Sequence, residues 1–165
     1  MQIGDIKTNH IIPFEIDDIK LTRLFSFFLH VSPTIDSNTA AMIELERFER
    51  NWERFISEFS KNNYVFLAPN CSIERYMERY KLHNEANVNR RSKGFICKRK
   101  DNSESDYKCV LRHIRNAIAH SNVYMNNAGN RKYLIFEDFN KSKNQSSIML
   151  FSQSDLTKLK REIMR

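Results

Sequence analysis

The stretch Leu111–Tyr124, LRHIRNAIAHSNVY, crowds Arg112, His113, Arg115, Asn116 and His120 around an apolar stripe. Wound at about 100° per residue, Val110, Leu111, Ile114, Ala117 and Ile118 fall on one arc that should bury. Arg115, Arg112, Asn116, His120 and His113 fall on the other arc, in that angular order. Ala119 gives the polar arc a low floor, flanked by Arg115 and His120. Asn116 and His120 stand four apart, so the amide is placed to orient the imidazole. Ser121-Asn122 and the later NNAGN predict that the helix stops soon after His120. The dipole at that end is negative, which favours imidazolium and repels an anion. One such helix is a poor phosphate site, whereas two copies across a two-fold axis would pool two Arg115 and two His120.

Working outward, the pattern upstream is helical. A first helix is expected over 15–31, ended by Ser32-Pro33, with RLFSFFLHV apolar around most of its circumference. A second should begin near Asp36-Ser37-Asn38 and run to about Ser60, with Ala41, Leu45, Phe48, Trp52, Phe55 and Phe59 on one face. Its Glu-Arg pairs read as a solvated face. YVFLAP reads as a buried connection, and Ser72 as the cap of a third helix, SIERYMERYKLHNEAN. Residues 88–105 read as a basic loop in which Arg90, Arg91, Lys98 and Arg99 are candidate RNA contacts and Phe95 a base-stacking ring; an ordinary solvated loop is the alternative. The fourth helix, starting near 103–105, carries the opening stretch. KYLIFEDF and SIMLF then predict a hairpin, and Ser152 or Ser154 starts a final helix with Leu156, Leu159 and Ile163 as its apolar edge. The expected fold is mainly α: a bundle of about five helices with a small β-hairpin before the C-terminal helix, in one domain spanning 1–165.

Composition narrows the partner. There are 27 Lys plus Arg against 20 Asp plus Glu, a net charge of +7, which suits a polyanion such as nucleic acid. Three widely spaced cysteines, Cys71, Cys97 and Cys109, argue against a disulfide framework and for a reducing, cytoplasmic setting. No apolar run reaches membrane-spanning length and no secretion signal is visible. Cys97, Cys109 and His113 lack the paired spacing of a zinc site and read as buried residues. Only three glycines are present and none forms a phosphate loop. No metal and no cofactor is expected.

Arg115-Asn116-Ala-Ile-Ala-His120 resembles the R-x4-6-H signature of the HEPN superfamily (higher eukaryotes and prokaryotes nucleotide-binding domains), specifically over about Leu111 to Val123. The resemblance implies a helical bundle that dimerises through the motif helix and cleaves RNA without metal. Arg115 would bind the scissile phosphate, His120 would exchange the proton, and Asn116 would hold the imidazole or touch RNA. The 2′-hydroxyl would be the nucleophile, giving a 2′,3′-cyclic phosphate and a 5′-hydroxyl. Arg112 is a further RNA contact, and His113 either surface decoration or a second proton carrier. A microbial toxin or phage-defence role, with an antitoxin or regulatory protein as partner, is implied by the same likeness. The competing expectation is an inert RNA-binding or scaffolding HEPN dimer. HEPN toxins paired with nucleotidyltransferase antitoxins often carry tyrosine two residues after the histidine. Here Asn122 stands there and Tyr124 lies four beyond His120, which argues against silencing by tyrosine modification.

Overall fold

A computed structural model describes residues 1–31 and 39–165, with side chains for 1–30 and 46–165. The helix stop at Ser32-Pro33, the cap at Asp36-Ser37-Asn38 and the side chains of Ala41 and Leu45 lie outside those residues.

The mainly helical bundle is overturned by a six-stranded mixed sheet. Its strands are β1 (His10–Ile11), β2 (Tyr64–Leu67), β3 (Gly94–Lys98), β4 (Val123–Ala128), β5 (Arg131–Phe139) and β6 (Gln145–Ser152), in the order β1-β4-β5-β6-β3-β2. All neighbours are antiparallel except β2 and β3. The expected hairpin is the β5–β6 centre of this sheet. The other strands were hidden for a physical reason. A sheet covered on both faces buries successive side chains alike, so its strands lose the apolar–polar alternation that marks a half-exposed strand. GFICK is the clearest case: it sits between two basic runs, yet Phe95, Ile96 and Cys97 are fully buried. The basic loop expected over 88–105 is therefore split by a core strand.

The two faces bury different residues. Phe95, Cys97, Leu134, Phe136, Met149 and Phe151 point to a layer of helices: α2 (Ile19–Ser26), α3 (Thr39–Ile56), α4 (Asp106–Ala119) and α5 (Gln153–Met164). Ile96, Tyr133, Ile135, Ile148 and Leu150 point the other way, against Ile3 and Ile6 of α1 (Ile3–Lys7) and against Ile73, Leu82, Ala86 and Val88. Burial of these side chains stabilises the fold by roughly 1.5–3 kcal/mol for each large apolar residue.

The helix expected over 15–31 begins later, because the Asp18 carboxylate caps Leu21 N–H at 3.1 Å. It ends in a π-helical turn, Phe27–Val31, with Phe27 and Phe28 buried. On α3 the predicted stripe holds: Phe48, Trp52, Phe55 and, just beyond, Phe59 are buried, while its Glu-Arg pairs from Glu46 to Arg54 are exposed. The third expected helix is reduced to one 3-10 turn, Ile73–Tyr76. Lys81 takes a left-handed φ of 58°, and the chain turns back so that the carbonyls of Asn84 and Ala86 receive Gly4 and Ile3 N–H. A continued helix would have left those amides of α1 without partners. At the start of β3, a Cβ on Gly94 would lie 2.1 Å from the Asn63 carbonyl oxygen, so this close approach demands glycine. Among the described residues no helix is long and apolar enough to cross a membrane.

Candidate active site at the end of the fourth helix

Ser105 precedes α4 as its N-cap, and Val110, Leu111, Ile114, Ala117 and Ile118 bury as the spacing predicts. The helix is stopped by a paired backbone motif. Ser121 N–H donates to the Ile118 carbonyl at 3.2 Å, and Asn122 N–H donates to the Ala117 carbonyl at 2.8 Å. Ser121 adopts the left-handed φ of 57° that this motif requires. Asn122 then accepts from Glu137 N–H, which feeds the chain into β4 beside β5. The result leaves His120 as the C-cap residue, exposed at the mouth of the turn. Arg115 is half-buried one turn earlier. Among the described residues neither side chain has a hydrogen-bond or ion-pair partner.

The neighbouring polar residues behave differently. His113, expected on the polar arc, is 1% exposed. Its Nδ1 lies 2.8 Å from the Asp138 carboxylate and its Nε2 lies 2.8 Å from the Lys98 carbonyl oxygen. Two acceptors at 2.8 Å favour a ring protonated on both nitrogens, against a longer approach of Arg112 Nη2 to Nε2 at 3.4 Å. Burial opposes that charge, and the hydrogen bond to Asp138 outweighs it with help from Cys109, raising the His113 pKa to about 9. Burial likewise opposes the Asp138 carboxylate, and the His113 bond overrides it, so its pKa is lowered. With both nitrogens taken, His113 has no free edge for RNA or for proton exchange, and it is not surface decoration.

Asn116 was expected to hold the His120 ring or to touch RNA. Its amide instead donates to Asp138 Oδ2 at 3.1 Å, a third bond to that carboxylate beside the one from Phe139 N–H to Oδ1. Arg112 grips Glu104 through two bonds of 2.7 and 3.0 Å and also donates to the Lys98 carbonyl. Burial of Glu104 raises its pKa, but the Arg112 bond overcomes this and the net shift is down. Arg99 is held by Asp106 and by the Glu104 carbonyl, with its guanidinium 4.7 Å above the Phe66 ring. Phe95, expected to stack a base, is fully buried. Arg90 and Arg91 remain exposed before β3, while the Lys98 side chain is half-buried at its far end. The structure thus brings Arg112, His113 and Asn116 into one buried ionic network with Glu104 and Asp138. It leaves Arg115 and His120 outside that network, on its solvent side. Cys97 and Cys109 are buried, and Cys109 donates to the Lys98 carbonyl; among the described residues no His/Cys/Asp/Glu group could hold a metal ion.

Two contributors were not singled out from the sequence. Asp138 was legible as a charge interrupting the apolar run LIFEDF. Its neighbour Glu137 points to the opposite face, where Lys7 meets it at 3.1 Å. His10 carried no signal, standing in a two-residue strand. Pairing of β1 with β4 sets it opposite Tyr124, and its Nε2 bonds to the Ser121 carbonyl, with the ring edge-on to Tyr124 at 5.5 Å. A second imidazole therefore pins the turn that carries His120.

The family model described as HEPN pEK499 p136 matches residues 21–165. No curated protein and no solved structure matches the chain. The match takes in α2 from Leu21 onward, α3 to α5 and every strand but β1, so it covers the motif helix together with the unforeseen strands β2, β3 and β4. The chain belongs to the HEPN pEK499 p136 family.

Proposed function

We propose that the chain is a metal-independent endoribonuclease that works as a homodimer, with Arg115 and His120 of each protomer at a shared site. The observation that carries this reading is the contrast on α4: Arg112, His113 and Asn116 are committed to carboxylates, while Arg115 and His120 are left unpaired at its exposed end. A guanidinium binds phosphate oxygens through its fork of donors, and an imidazole is the ordinary proton carrier near neutral pH. Family membership supports an RNA-related or toxin-type activity.

In this mechanism Arg115 holds the scissile phosphate and stabilises the charge that builds on it. His120 takes the 2′-hydroxyl proton or gives one to the leaving 5′-oxygen. The 2′-oxygen attacks phosphorus, the bond to the 5′-oxygen breaks, and a 2′,3′-cyclic phosphate and a 5′-hydroxyl result. Acid–base catalysis of this kind contributes about a hundred- to ten-thousand-fold, and cation stabilisation adds to it. Asn116 supports the site indirectly, by fixing Asp138 behind α4. The helix dipole disfavours an anion at the His120 end, and a second copy supplies the missing positive charge. An antitoxin or regulatory protein would act by covering this end of α4.

Single-stranded RNA incubated with purified protein in excess EDTA tests the reading. Cleavage by the native chain, lost in Arg115→Ala and in His120→Ala, is expected. RNA binding without cleavage, unchanged by those substitutions, would assign an inert RNA-binding or scaffolding dimer instead. Cleavage that returns only with added divalent metal would reject the mechanism.

A further inference from the structure

A cleft of about 700 Å³ opens where the start of β5, the end of β6 and the first turns of α2 and α5 meet. Five cations line it, Lys20, Arg23, Arg131, Lys132 and Lys160, against the single carboxylate of Asp18. That carboxylate is already spent on Lys132 and on the cap of α2. Arg131 is steadied by the Arg90 carbonyl at 2.9 Å, and Lys160 lies over the Phe27 ring at 5.3 Å. Lys20 and Arg23 are exposed and have no side-chain partner among the described residues. The cleft therefore keeps a surplus of positive charge that the fold itself does not use. This differs from the basic segment the sequence suggested, where Arg99 is neutralised by Asp106.

Its position relates it to the motif helix. Lys132 and Asp138 are six residues apart on β5, which separates the cleft from the α4 network by about 20 Å. Both lie on the helix-covered side of the sheet, since α2, α4 and α5 pack on that one face. We infer that this cleft is a second phosphate-binding subsite, which grips the backbone of a single-stranded RNA several nucleotides away from the Arg115–His120 end. Its RNA assignment rests on the proposed function. The cleft holds the strand by charge and does not read its sequence, so affinity rises with strand length and falls with salt.

The experiment uses His120→Ala protein, so that RNA stays intact, and a fluorescent 20-nucleotide oligouridylate titrated at several salt concentrations. Adding Lys20→Ala, Arg23→Ala and Lys160→Ala should weaken binding about tenfold. It should also lower the slope of log affinity against log salt by about 2, near 0.7 for each lost phosphate contact. Unchanged circular dichroism and melting temperature certify the fold, and Lys20→Glu with Arg23→Glu, which leaves Lys160 over Phe27, should weaken binding further. In an otherwise native chain, the triple substitution should raise KM for the 20-mer and leave cleavage of a dinucleotide unchanged. An unaltered salt slope overturns the subsite even if RNA is cleaved. A lowered slope in a chain that cleaves nothing keeps the subsite and rejects the ribonuclease. Affinity independent of strand length and matched by free pyrophosphate overturns it in favour of a small-anion site.

Discussion

Replacing Asp138 with Asn removes the charge that holds His113 protonated while keeping the shape of the side chain. Asp138 accepts three hydrogen bonds, from His113 Nδ1, Asn116 Nδ2 and Phe139 N–H. An asparagine turned to serve the first two sets its own NH2 against the third. The larger effect is electrostatic. The His113 pKa stands at about 9 against a reference of 6.5, and about 1.4 kcal/mol per pH unit gives roughly 3 kcal/mol for the pair. The sign follows from the direction of the shift. A folded pKa above the unfolded one contributes stability that is complete below about pH 6.5 and lost as pH rises through 9. Asp138, shifted down, loses its contribution only below its ordinary range, near pH 4; both shifts describe one interaction and are not summed. With about 1 kcal/mol for the misplaced hydrogen bond added, Asp138→Asn should cost about 4 kcal/mol at pH 6, within the range for breaking one side of a buried pair. At pH 10, where His113 is neutral in the native chain as well, the cost should fall to about 1 kcal/mol, the worth of the misplaced hydrogen bond. Urea unfolding at the two pH values measures this, and the melting temperature at pH 6 should drop by about 8–16 °C. Lysine and tyrosine titrations are common to both chains and cancel in the difference. The same cost at both pH values would refute a charged His113.

Three further perturbations test other parts of the structure. Gly94→Ala drives a Cβ into the Asn63 carbonyl and should destabilise by about 2–3 kcal/mol in urea unfolding, with loss of the Phe95–Asn63 bond; a neutral result would mean β2 and β3 are not so closely apposed. Ser121→Gly relieves a left-handed residue and should be neutral or stabilising by about 0.5 kcal/mol, whereas Ser121→Val should cost about 1–2 kcal/mol; equal midpoints for both would deny the turn that ends α4. His10→Ala removes the bond to the Ser121 carbonyl and should lower kcat a few-fold while KM and the pH profile stay in place; a profile that loses one limb would make His10 a proton carrier instead of a positioning residue.

Helices α2 to α5 were legible because their apolar residues recur at steps of three and four, as from Phe48 to Phe59, but the same spacing in SIERYMERYKLHNEAN gave only the 3-10 turn Ile73–Tyr76. The sheet was largely not. Tyr64–Leu67 and Gly94–Lys98 pair in parallel with each other across 26 intervening residues, and nothing local to either announces a partner so distant. The cap of α5 shows what local chemistry can disclose: Ser152 and Asp155 form the reciprocal capping pair that Ser-x-x-Asp advertises. On α4 the buried arc was readable, but which polar residues stay open was not. That choice is made by Asp138, twenty-five residues beyond His113, and by the Lys98 carbonyl, fifteen before it. Residue type alone could not separate His113, locked in the core as a cation, from His120, exposed on a cap.

The most direct test of the central claim uses one RNA and its copy carrying a single 2′-deoxy nucleotide immediately 5′ to the mapped cleavage position, both in EDTA. If His120 and Arg115 activate an internal 2′-hydroxyl, the native RNA is cut there to a 2′,3′-cyclic phosphate and a 5′-hydroxyl, and the substituted copy resists at that position alone. Cleavage of both strands at equal rates, or a 5′-phosphate on the product, would contradict the account.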